Sequence, residues 1–247
     1  MRRALLAGIL LAAGTSSAQQ TTVQVLPPAP PEPTRGLLVE LKMGTLIPRI
    51  ADEPGLTGDP YGEVFHNSSM LYGGGEIDYL AWRGYGAVGV GFSVGYTEKY
   101  APATVVSSGA PSSEKTALIL FPMRLSFLYR WDVSWTRYRI PLVPYFKFAL
   151  LSTPWRSTKG GDTEVFIDNA GNRLEGKGLK WGYGFTVGVA FILDVLSDRM
   201  AKDLTNDTGI RHSYIFAEFN DDHSDDFGKV GLNLSARWFT FGLGFEF

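Results

Sequence analysis

The 247-residue sequence contains no cysteine. This excludes disulfide bridges, thiolate metal ligands and a cysteine nucleophile, and it removes the residue on which a lipoprotein carries its acyl anchor. Charge is scarce and balanced: 19% of residues are charged and the formal net charge is −2. Bulk electrostatics therefore point to no nucleic-acid partner and no polyanionic substrate. Beyond the N-terminus, no run approaches the roughly 18 consecutive apolar residues that a membrane-spanning helix requires. Histidine is limited to His66, His212 and His223. A lipid-modifying enzyme would want one of these beside a serine or carboxylate. His212 and Ser213 are adjacent, but neighbours along a strand point to opposite faces, so they cannot meet as base and nucleophile. His66 lies near Ser68 and Ser69 in a loop, where closeness in sequence means little. No enzymatic activity and no cofactor are expected.

Glycine and aromatic residues are abundant, with 29 glycines and 13% aromatics, a combination that suggests many short strands. At the start, Arg2 and Arg3 precede the apolar run Ala4 to Ala13, and Ser16-Ser17-Ala18 supplies small residues for a signal peptidase. Residues 1–18 read as a signal peptide. Residues 19–35 include Leu26-Pro27-Pro28-Ala29-Pro30-Pro31-Glu32-Pro33, whose prolines favour extended polyproline chain, and they read as a periplasmic linker. Residues 36–247 form the remaining domain.

From Gly36 the dominant signal has period two. Val88, Val90, Phe92, Val94 and Tyr96 alternate with Ala87, Gly89, Gly91, Ser93 and Gly95. Trp181, Tyr183, Phe185, Val187, Val189 and Phe191 alternate with small residues in the same way. This spacing predicts about eight strands, near 36–46, 70–82, 86–99, 117–131, 141–152, 179–193, 212–220 and 230–247. Linkers 47–69, 100–116, 153–178 and 221–229 fall on one side and 83–85, 132–140 and 194–211 on the other. Longer outer loops and shorter periplasmic turns are the pattern of outer-membrane barrels, and only 194–211 departs from it. There Leu196, Met200 and Leu204 fit one helical face, so a short periplasmic helix near 194–205 is expected, closing the lower mouth.

A soluble sheet hides its apolar face, whereas a membrane barrel turns it to lipid and keeps its charges inside. The faces beginning at Leu37, Val88, Ala117, Trp181 and Phe239 carry no charge, as lipid contact requires when a midplane Arg or Lys costs roughly 2–4 kcal/mol. Glu40, Lys42, Glu76, Asp78, Arg124, Arg130, Lys147 and Glu218 fall on the opposite, inward faces. Their near balance of sign in a narrow barrel favours a salt-bridged, largely closed lumen over a conducting pathway. Trp82, Trp131, Trp155 and Trp181 sit near strand ends, where amphipathic rings settle at membrane interfaces.

The last strand, Thr240-Phe241-Gly242-Leu243-Gly244-Phe245-Glu246-Phe247, resembles the closing-strand signal of outer-membrane barrels: a polar residue, a glycine two positions on, and aromatics third-last and last. Thr240, Gly242, Phe245 and Phe247 match it. From Gly36 onward the chain resembles the small Gram-negative outer-membrane barrels of the OmpA, OmpX and OmpW kind. The resemblance implies an all-β, transmembrane, antiparallel up-and-down barrel in the bacterial outer membrane. It also implies outer-membrane lipid and the barrel-assembly machinery as partners, with surface loops available to an extracellular ligand.

Two other motifs carry less. Gly84-Tyr85-Gly86-Ala87-Val88-Gly89 matches the dinucleotide fingerprint, but strand alternation follows it where a helix N-terminus is required. Asp221, Asp222, Asp225 and Asp226 with His223 read as a solvated, mutually repelling loop, their spacing matching no EF-hand. A structural or surface-interaction role is the expected function, with narrow-channel transport of small solutes as the first alternative and lipid modification as the second. The mature protein is expected to begin at Gln19, and its intact mass checks this: a mass that retains residues 1–18 removes the signal peptide.

Overall fold

The structure, a computed structural model, describes residues 35–104, 111–167 and 173–247. The expected signal peptide and all of the expected linker except Arg35 lie outside the described residues.

Among these residues eight long staves form the sheet. They are β1 (Gly36–Leu46), β2 (Met70–Arg83), β3 (Ala87–Thr104), β4 in two pieces (Pro111–Leu120 and Met123–Arg130), β5 (Leu142–Lys159), β6 (Lys177–Ile192), β7 (His212–His223) and β8 (Ala236–Glu246). Each pairs antiparallel with the next. The last then pairs with the first, Val39 opposite Phe245 and Lys42 opposite Gly242. Closure leaves no stave with an unpaired edge, which is how a sheet can sit in hydrocarbon without exposing backbone polar groups.

Side chains alternate as the period-two pattern demands. Phe92, Phe127 and Val187 are 51%, 53% and 59% exposed on the outside. Glu40, Arg124 and Lys147 are buried on the inside. Hydrophobic side chains thus face outward around a polar axis, the reverse of a soluble barrel.

Several staves run further than their sequence limits, β3 to Thr104, β5 to Lys159 and β7 to His223, and β4 starts at Pro111. Loop composition hid these extensions, which are held by pairing to neighbours. The interruption of β4 at Phe121-Pro122 follows from proline lacking an amide. The ladder is patched there by Gly95 N–H donating to Pro122 O at 2.8 Å and Phe121 N–H to Pro154 O at 2.9 Å.

Among the described residues three short α-helices decorate the ends. At the loop end, α1 (Pro60–Phe65) is capped by Asp59, which accepts from Gly62 N at 2.9 Å, with Pro60 in its first turn. The Gly62 amide and the Asn67 carboxamide hold the Asp59 carboxyl below its usual range. Helix α1 buries Tyr61 and Phe65 in a cluster with Leu46, Met70, Tyr72, Leu120 and Trp238. Burial pushes the Tyr61 phenol up to about 12, and its hydroxyl donates to Ser68 O at 2.7 Å. At the turn end, α2 (Val133–Tyr138) sets Trp135 against a buried cluster that includes Leu38, Leu128, Val143 and Tyr214.

The helix expected near 194–205 is present, with its start shifted along the chain. Leu193–Leu196 is a 3-10 turn, and α3 (Asp198–Thr208) begins only after extended Ser197, whose hydroxyl accepts from Met200 N. Leu196 therefore does not share the helix of Met200 and Leu204. Leu196 and Met200 are 73% and 72% exposed. Helical period predicts amphipathicity, but it cannot say what the apolar side meets.

Phe92→Arg would place a cation among the outward apolar side chains of β3. It is expected to lower stability by about 2–4 kcal/mol in urea titrations of the protein in lipid vesicles, and no loss would contradict the outward-facing arrangement.

Candidate functional site

Inward positions of four staves converge on the axis. Register places Glu40 of β1 opposite Glu76 of β2, a like-charge pair that is unfavourable by itself. Two ammonium groups resolve it. Lys42 Nζ lies 3.0 Å from Glu40, 2.5 Å from Glu76 and 2.9 Å from Glu218. Lys147 Nζ, from β5, lies 2.9 Å from Glu40, 2.8 Å from Glu76, 3.2 Å from Asp78 and 3.7 Å from Glu218. Tyr145 donates its hydroxyl to Glu218 at 3.1 Å and Thr240 donates at 2.8 Å. Oxygens of Glu40, Glu76 and Asp78 lie within 4.8 Å of one another, a spacing able to hold a metal ion. The Lys147 ammonium contacts all three, so a cation already serves these oxygens. Glycine makes the room: a Cβ at Gly91 would overlap the Asp78 carboxylate, and one at Gly188 the Tyr145 ring.

A second tier lies toward the loops. Arg124 donates to Thr186 at 2.7 Å, to Asn220 at 3.1 Å and to Asp222 at 3.3 Å, and the Trp238 indole donates to Asp222 at 3.0 Å. A third tier lies toward the turns. Glu246 receives Arg130 at 3.1 Å, Tyr214 at 2.6 Å and also Arg83, and Arg83 reaches Asp132 at 3.3 Å. The Arg130 guanidinium rests 4.4 Å from the Tyr214 ring centre. Cavities of about 10 Å³ and 20 Å³ flank the central cluster, each with room for about one water molecule.

All eight inward charges named from the sequence lie on this axis, but not in one group. Glu40, Lys42, Glu76, Asp78, Lys147 and Glu218 meet in the central tier, and Arg124 and Arg130 belong to the outer two. Asp222, Glu246, Arg83 and Asp132 were absent from that set. Period two could have found two of them: Asp222 continues Glu218 and Asn220, and Glu246 continues Thr240, Gly242 and Gly244. Nothing in the sequence signals Arg83 or Asp132, which stand where β2 and β4 end.

The acidic run of 221–226 is not a repelling, solvated loop. Asp221 faces outward among cations, Asp222 faces inward to Arg124, and Asp226 accepts from Trp181 N at 2.8 Å and Lys180 at 2.7 Å. Burial alone would raise Asp226, and these two donors hold it below its ordinary value. Trp82, Trp131 and Trp181 are exposed near stave ends. Trp155 differs, lying partly buried against the loop-end cluster. On β8, Thr240 is buried at the axis, Gly242 lies beside the Phe216 ring, and Phe247 is outside. Phe245 shares that outer side and is partly exposed. His212 Nδ1 contacts Asp194 at 2.5 Å, and His223 stacks on Tyr183.

No protein-family model matches this chain, and no curated protein matches it. Solved structures do. The outer membrane protein OprG from Pseudomonas aeruginosa is 11% identical with a TM-score of 0.50, over 87% of this chain and 96% of OprG. Ail, the attachment invasion locus protein of Yersinia pestis, is 10% identical with a TM-score of 0.44, over 87% of this chain and 100% of Ail. The likeness to OprG shows the fold, a small closed antiparallel β-barrel.

Lys147→Met would leave four carboxylates to a single lysine and is expected to cost about 3–5 kcal/mol. Asp78→Asn, which removes one surplus negative charge, is expected to cost far less. Urea midpoints of the two variants check the ranking, and equal losses would contradict it.

Proposed function

We propose that this chain is a bacterial outer-membrane barrel with a structural or surface-interaction role, no enzymatic activity, and a lumen closed by its own ion pairs. One observation carries the reading: the Lys147 ammonium sits on the axis in contact with carboxylates from three other staves. Eight-stranded barrels have interiors just wide enough for side chains, and here three stacked ion-pair tiers occupy that width.

A closed axis shifts function to what surrounds it. Of the long loops expected at 47–69 and 153–178, residues 47–69, 160–167 and 173–176 stand beyond the staves at the loop end, the usual arrangement for binding loops, so an extracellular ligand would meet them first. Trp82, Trp131 and Trp181 suit the headgroup zones of outer-membrane lipid, while Trp155 serves the inner cluster. Thr240, Gly242, Phe245 and Phe247 would act during biogenesis as the signal read by the barrel-assembly machinery, the two phenylalanines standing on the outer side of the closing strand. Residues 1–18 would direct export, and residues 19–35 would tether the barrel on the periplasmic side.

Three measurements test this reading. The unboiled protein is expected to run at a different electrophoretic mobility from the boiled one and to fractionate with outer membranes. In planar bilayers it is expected to stay silent at high protein load. Steady ion conductance would overturn the closed lumen in favour of solute transport, and an unchanged mobility would overturn the barrel.

A further inference from the structure

Outside the barrel, where β7 and β8 reach the loop end, two guanidinium groups and an imidazole surround one carboxylate. Asp221 and Arg237 are cross-strand partners, and Arg237 Nε donates to Asp221 at 3.1 Å. Arg49 comes from the segment after β1, is pinned by its amide donating to Ser235 O at 2.8 Å, and lies 3.8 Å from the same carboxylate. His223 Nε2 lies 3.6 Å away. The imidazole is held flat by Tyr183, its ring centre 4.9 Å away and nearly parallel, and Tyr183 in turn stacks with Phe227.

The level of this group is set by the residues beneath it. Two positions toward the turn end on the same faces stand Phe219 and Phe239, their rings 5.2 Å apart and both exposed to the outside. The cations therefore begin where the apolar belt of these two staves stops, the depth at which lipid headgroups carry phosphate. Two guanidiniums face one carboxylate, so the group keeps surplus positive charge. The Arg237 side chain is 59% exposed and is anchored through Nε, which leaves guanidinium N–H groups for a further acceptor.

We propose that Arg49, Arg237 and His223, oriented by Asp221, form a clamp for the phosphate of a lipid headgroup in the leaflet at the loop end. Arginine forks match phosphate oxygens in bidentate geometry. Phe219 and Phe239 below would lie along the acyl chains of the same lipid. The clamp rests on the membrane-barrel reading and adds to it a specific lipid chemistry.

The test uses the full barrel in phosphatidylcholine nanodiscs doped with a small fraction of phosphatidic acid, with retained lipid read by native mass spectrometry. The wild type is expected to retain phosphatidic acid above its share of the bilayer. The Arg49→Gln/Arg237→Gln double variant is expected to lose roughly tenfold of that enrichment. Arg156→Gln, at an exposed arginine of β5, is expected to keep it. Heat-shifted mobility in the same samples confirms that each variant is folded, and Arg237→Gln alone, with a smaller loss, serves if the double variant fails to fold. Undiminished enrichment in folded arginine variants, or none in the wild type, would overturn the clamp while leaving the barrel standing. Absence of a mobility shift in the wild type would overturn the barrel and the clamp with it.

Discussion

The axis of an eight-stave ring is too narrow to hold bulk water beside its side chains, so every inward charge is stripped of most of its hydration. Desolvated charges cost several kcal/mol each unless partners replace the lost water. This protein meets that demand with two lysines that each touch several carboxylates, and much of its interior follows. Glu40 and Glu76 can face each other across β1 and β2 because Lys42 and Lys147 both contact the pair. The carboxylate of Asp78 fits because Gly91 has no side chain. Hydroxyls of Tyr145 and Thr240 take up further lone pairs of Glu218.

The same demand organises the ends. Toward the turns, Glu246 binds Arg130 and Tyr214, so the closing stave is tied to β4 and β7 through its last side chain. Toward the loops, apolar packing takes over from charge: the edge-on Tyr72 and Trp238 rings, 4.6 Å apart, lie in one cluster with Tyr61 and Phe65 of α1. The Trp238 indole also bonds to Asp222, so one residue joins the charged axis to the apolar cluster.

The rim at the loop end shows how one strand serves two environments. On β7, Asp221 and Asp222 are consecutive, yet Asp221 meets Arg237, Arg49 and His223 outside while Asp222 meets Arg124 inside. The one-residue pleat separates them completely. A run of acids that looks self-repelling in sequence is divided by the strand into two ion-paired sites.

Period-two spacing alone was enough to assign sides, because alternation is a property of extended backbone independent of what surrounds it. It put Phe92 and Val187 on one face and Glu40, Lys42, Glu76 and Lys147 on the other, and it placed eight strands between turn-rich linkers. Glycine and proline marked the linkers less well: pairing carried β3, β5 and β7 past the composition signals, and α1 and α2 left no period long enough to read. Which inward charges would meet was decided only by closure of the ring, since Lys147 and Glu40 are brought together by register and curvature from positions 107 residues apart. The fate of the 193–208 segment was also a tertiary matter. A short sequence can specify an amphipathic helix through local spacing, but whether its apolar side finds a partner depends on surfaces that exist only once the barrel has formed.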